Sequence, residues 1–230
     1  MGLRPSLLIA GGLVVLAAGC GGSGYQYVEN EDLGVFARLP DDWAVYDTEQ
    51  LLTEINSAEE EALSDAAMER AQSRLWFRGF DASSSPSAEG SMDIGADEPR
   101  GFVHIRALSP QERDTINVSG LRAYVLGVDP LAASTGAEMP LGGTAAEDVS
   151  VVTDEPAEFE GGYHGNHNVF AVTQGNEVAI VDQTALLDSA NSTLYLFVVS
   201  CDEECYFETN SDDIAEIVDS WTIDESHSSS

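Results

Sequence analysis

Residues 167–200, HNVFAVTQGNEVAIVDQTALLDSANSTLYLFVVS, decide the fold. Gly175 and Asn176 form a two-residue turn signal between two β-prone runs, 167–174 and 177–187, so the stretch reads as a β-hairpin. The next run, 192–200 (STLYLFVVS), is apolar at successive positions. That is the pattern of a central strand covered on both faces. Downstream, Ser211 is placed to cap a final helix whose first turn carries Asp212 and Asp213, favourable at the positive helix end. Ile214, Ile217, Val218 and Trp221 recur at helical spacing and mark its buried stripe. Upstream, 149–153 and 157–159 read as strands around a turn at Glu155 and Pro156.

The first half follows the same logic with weaker signals. Residues 25–28 and 35–39 read as short strands, and the LPDDW turn at 39–43 delivers Trp43 to a third strand ending near Tyr46. Asp47 offers a helix N-cap with Gln50 as its returning partner. Leu51, Leu52, Ile55, Ala62, Leu63, Ala66 and Ala67 extend the helical period to about Gln72, with Ser57 as an interruption. Strands are expected at 74–80 and 101–107, and a second helix opens at Ser109 and Pro110, with Gly120 weakening its middle. Residues 81–99 and 130–147 lack periodicity and read as mobile loops. Met92 and Ile94 offer a short apolar anchor for a partner within the first. Three helices on one antiparallel sheet make an α/β layered fold, in one domain spanning 25–224.

The chain has 230 residues, 41 Asp and Glu against 9 basic residues, and a net charge of −32. All nine basic residues are Arg and there is no Lys. Lysine-dependent chemistry is therefore excluded, including Schiff bases and P-loops. Nucleic acid is excluded as a partner because it needs a basic footprint to displace counterions. The acidity is spread from Glu29 to Glu225, which favours adaptation to high salt over one basic partner. Self-repulsion of this size is screened over about 10 Å at 0.1 M salt.

The N-terminus, MGLRPSLLIAGGLVVLAAGC, carries Arg4, a short apolar run and small residues before Cys20. The run is shorter than the roughly 20 residues that span a bilayer, so it reads as an export signal. LAAGC resembles a bacterial lipobox, which makes residues 1–19 a lipoprotein signal peptide and Cys20 the lipidated first mature residue. Residues 20–24 form a flexible tether, and 225–230 form a disordered tail. The expected location is the extracytoplasmic face of a cell membrane, held by the N-terminal lipid. In that oxidising compartment Cys201 and Cys205, spaced as CDEEC, are expected to form a disulfide.

Motifs for chemistry are sparse. There is no G-x-S-x-G elbow, no H-E-x-x-H and no dinucleotide fingerprint, so no catalytic residue and no cofactor are expected. His164 and His167 are weak candidates for a shared metal with Glu158 or Glu160. Asp182, inside a strand, is a mildly unusual acid. Three stretches, VFARLPDDW (35–43), GGYHGNHNVFAVTQGNEVAIVDQ (161–183) and DDIAEIVDSWTI (212–223), resemble the PsbP-like fold. Bacterial lipoproteins of the LpqN/LpqT type in actinobacteria share that fold. The resemblance covers about 32–223 and implies an α/β/α sandwich used mostly for binding and assembly, with no active-site motif. The resulting expectation is a non-enzymatic binding or scaffolding lipoprotein of the cell envelope, with an envelope protein or an apolar ligand as partner. The alternative is a surface-anchored hydrolase or metal-dependent enzyme with an unrecognised site.

Overall fold

The hairpin at Gly175 forms the middle of the molecule. In the computed structural model, which describes residues 24–58, 64–122, 124–125 and 148–223, strands β7 (Tyr163–Gln174) and β8 (Glu177–Leu187) pair antiparallel around it. Gly175 takes φ +63°, which glycine adopts without strain, and the tight turn follows. The expectations for residues 1–23, 59–63, 126–147 and 224–230, Cys20 and the whole of the second loop (130–147) among them, lie outside the described residues.

β9 (Thr193–Asp202) pairs with β8 on one side and with β5 (Arg100–Ala107) on the other, as a doubly covered strand must. β4 (Leu75–Asp81) and β3 (Ala44–Tyr46) continue the sheet one way, and β6 (Asp148–Phe159) closes it the other way. All seven strands run antiparallel in the order β3-β4-β5-β9-β8-β7-β6. The turn expected at Glu155 and Pro156 is absent, and β6 runs through both as one strand with a bulge between Val151 and Thr153. A proline is tolerated there because β6 is an edge strand, which needs no donor on its outer side.

β9 shows why the sheet is buried twice. Tyr195, Phe197, Val199 and Cys201 face one core, whereas Leu194, Leu196 and Val198 face the other, as the two-residue period of a strand requires. The first core is closed by α5 (Ser211–Ser220) and by a second sheet of β1 (Tyr25–Asn30), β2 (Val35–Pro40) and β10 (Thr222–Ile223). The expected single sheet is thus two sheets. β2 buries Val35, Ala37 and Leu39 on one side only, so it forms a separate layer over α5 and β9. The fold class is as expected: a mixed α/β fold of antiparallel sheets packed against helices.

The second core lies under α1 (Thr48–Ala58) and α4 (Val118–Leu121), through Leu51 and Leu121. The caps expected at its entry are present. Gln50 N donates to Asp47 Oδ1 at 3.0 Å, and Asp47 N donates to Gln50 Oε1 at 2.8 Å. The helix expected to run to Gln72 is two, α1 and α2 (Asp65–Gln72). The helix opened by Ser109 is likewise divided. α3 (Pro110–Thr115) carries a full capping box with Glu112, then Ile116 turns extended and Asn117 caps α4 afresh. At the last helix Asn210 occupies the cap and Ser211 is the first helical residue.

Residues 81–99 correct the expectation of a mobile loop. Asp81 is buried at the end of β4, accepting from Ser83 N at 2.8 Å and Ser87 N at 3.1 Å, with Arg100 Nε 3.4 Å away. Ser91 is buried against Gly79, where a β-carbon would stand 2.3 Å from its Oγ. Met92 and Ile94 pack on the second core and are not free anchors. A loop without periodicity can still be rigid when one buried carboxylate gathers its amides.

Candidate functional site

The disulfide end of the sheet assembles the first cluster of polar groups. Cys201 closes onto Cys205 with their Cα atoms 5.9 Å apart, and Cys205 N donates to Asp202 Oδ1 at 2.7 Å. The bridge leads into a π-helical turn, Cys205–Thr209, which swings Tyr206 back over the sheet. Its hydroxyl donates to Asp182 Oδ2 at 2.6 Å, and His167 Nε2 lies 2.8 Å from Asp182 Oδ1. Asp182 is only 4% exposed, so its two oxygens are committed to these two partners.

Each group's chemistry follows from its neighbour. Hydrogen bonding to Asp182 raises the His167 imidazole above its ordinary range despite partial burial. Burial, reinforced by the Asp182 carboxylate, pushes the Tyr206 phenol up, so it stays a donor. The cluster is a tie between the π-helical turn and strands β7 and β8. Because the folded pKa of His167 exceeds its unfolded value near 6.5, its stabilisation is full below about pH 6.5 and lost as pH rises through the folded value. The stability gap between wild type and His167→Gln should therefore shrink from pH 6 upward, as read by urea titration at several pH values. A gap that widened with pH would contradict the pairing. Reduction of Cys201–Cys205 should cost about 2 kcal/mol by the chain-entropy argument for so short a loop. Denaturation with and without reductant measures it.

His164 and His167 do not share a site. They lie three residues apart on β7, and an odd spacing places them on opposite faces of the sheet. His167 turns to Asp182, while His164 is half-buried with Nδ1 3.1 Å from the Gly162 carbonyl. Among the described residues no group of three His, Cys, Asp or Glu converges as metal ligands. His104, on β5, is buried edge-on to Phe77, and burial lowers it to about 4. It is a neutral core residue.

A second feature escaped the sequence reading. On the opposite face of the sheet, a recess of about 430 Å³ opens between α2, the start of β4, the end of β5 and α3. Ala71, Leu75 and Ala107 give it an apolar floor, and Arg70, Arg74 and Arg106 line it. Ala107 N donates to the Arg74 carbonyl at 3.4 Å, which ties the two sides together. Arg106 is neutralised by Glu112 Oε1 at 2.7 Å and also donates to the Tyr124 hydroxyl at 2.8 Å. The Glu112 carboxyl, hydrogen-bonded to Arg106 and to Ser109, is held down to about 2. The one available signal was the four-residue spacing of Arg70 and Arg74, which places both on one side of a helix end. The convergence with Arg106 needed the fold.

The described residues define a class: antiparallel sheets clad by helices, stapled by a disulfide at one end and holding an arginine-lined recess on one face. No family model and no curated protein matches the chain. Among solved structures it is similar to the solution structure of cyanobacterial PsbP (CyanoP) from Synechocystis sp. PCC 6803. The identity is 13% and the TM-score 0.48, over 90% of this chain and 96% of that chain.

Proposed function

We propose that the protein is a membrane-anchored, extracytoplasmic lipoprotein of the LpqN/LpqT type, with a non-enzymatic binding or scaffolding role in the bacterial cell envelope. The observation that carries the reading is the junction between the lipobox-like cysteine and the fold. Cys20 stands five residues before Tyr25, where β1 begins. Five residues span at most about 18 Å when fully extended, so a lipid on Cys20 would hold the domain close against the bilayer. Residues 1–19 are the signal peptide, 20–24 the lipidated tether, 25–224 the binding domain and 225–230 the tail in this reading. A diacylated or triacylated cysteine anchors stably, whereas a single chain is marginal. The polar cluster at Asp182 serves as a tie between the π-helical turn and strands β7 and β8.

The test is Cys20→Ala. The variant should lose palmitate labelling and move from the membrane fraction to the soluble fraction, whereas wild type stays with the membrane. Retention of the variant at wild-type level would sink the anchor. Crosslinking on intact cells, followed by identification of captured molecules, tests the binding role separately.

A further inference from the structure

We infer that the arginine-lined recess binds an anionic amphiphile, a small molecule with a carboxylate or phosphate head and a short apolar body. The assignment deepens the binding role proposed above and rests on that role, although not on the anchor.

Charge accounting singles the recess out. Eight of the nine arginines lie in the described residues, and six of those have an acceptor for the guanidinium. Arg38 meets Glu216, Arg100 meets Asp81 and Asp93, Arg106 meets Glu112, and Arg122 meets Asp154. Arg78 and Arg113 donate to the backbone carbonyls of Phe77 and Leu108. Arg70 and Arg74 alone have no such acceptor among the described residues. In a chain with 41 acidic residues, two adjacent guanidinium groups with no acceptor among the described residues are an unexpected arrangement, because like charges four apart repel. Both line the same recess, beside an apolar floor.

The chemistry of the ligand follows from the lining. Guanidinium groups match carboxylate and phosphate in a planar, bidentate geometry. The floor of Ala71, Leu75 and Ala107 has no polar side chain to offer, so it suits a hydrocarbon body. A volume near 430 Å³ falls within the range of small-ligand clefts, about 300–1,000 Å³. Elsewhere the net charge of −32 repels an anion, so selectivity for a negative head is expected at this place. The same head-and-chain chemistry is offered by a free fatty acid or by an anionic phospholipid at a bilayer surface.

The experiment uses the full chain carrying Cys20→Ala, so that the anchor does not compete. Isothermal titration below micelle-forming concentrations compares decanoate, decyl maltoside and decyltrimethylammonium. Decanoate should bind at least ten-fold tighter than the other two. The double variant Arg70→Gln/Arg74→Gln should bind decanoate at least ten-fold more weakly with an unchanged melting temperature, since both side chains are exposed. Backbone amide shifts of Ala71 and Ala107 should follow the titration. A second arm measures co-sedimentation with phosphatidylglycerol and phosphatidylcholine vesicles. Decanoate binding without vesicle association supports a free acid, and association with phosphatidylglycerol alone, lost in the double variant, supports a bilayer headgroup. Equal binding of the three amphiphiles, or binding unaffected by the double variant, overturns the assignment. If both arms fail while crosslinking still captures a partner, the recess is wrong and the binding role stands.

Discussion

Phe197→Ala should cost about 4 kcal/mol, a large part of the 5–15 kcal/mol that holds a typical domain. Phe197 is 1% exposed on the central strand β9. It stacks on Trp221 with ring centroids 5.1 Å apart and 6° between planes, and it meets Phe80 at 6.1 Å. Truncation removes the transfer free energy of the ring and leaves a cavity between two sheets that cannot both move in. The loss should show in urea denaturation as a lower midpoint at unchanged slope. Phe207→Ala provides the contrast, because Phe207 is 47% exposed and exposed substitutions usually stay within about 0.5 kcal/mol. Similar losses for the two variants would refute the layered core described here.

Asp81→Ala should cost about 3 kcal/mol and release residues 82–98 to proteolysis. Asp81 is 1% exposed, and it accepts from two loop amides beside the Arg100 guanidinium. Removing it strands those donors and leaves the partly buried Arg100 guanidinium with the more exposed Asp93 as its carboxylate. Limited proteolysis should therefore cut the variant within the loop while β4 and β5 stay protected. A resistant loop in the variant would mean that Ser91 and the packed Met92 and Ile94 suffice without the carboxylate. Replacing 82–98 by a short Gly/Ser loop removes all these contacts, so its cost exceeds the small closure entropy of a shorter loop.

The two experiments probe features that differ in how far the sequence foretold them. The strand that carries Phe197 was legible, because an unbroken apolar run has one economical home, the middle of a covered sheet. The loop beside Asp81 was misread. Its serines, glycines and acids have the composition of a mobile segment, and only a folded neighbour shows that one of the acids is buried and gathers the amides. The histidine pair, a weak candidate for a shared metal in the sequence, is parted for a different reason. Strand parity alone separates His164 from His167, provided that β7 is taken to begin at Tyr163.

What the sequence determined by itself is what adjacent residues settle among themselves. The hairpin at Gly175, the cap between Asp47 and Gln50, the capping box at Ser109, the stripe of α5 and the pairing of Cys201 with Cys205 all close within a few residues. Their free energies are local, so their signals are local too. Only the tertiary structure decided the rest. β10 is two residues long and joins β2 across most of the chain, and the second sheet exists because β2 has one apolar side and α5 needs covering. The tie of Tyr206 to Asp182 and the meeting of Arg70, Arg74 and Arg106 bring together groups from separate elements. No spacing records such contacts, because their positions follow from how the layers pack.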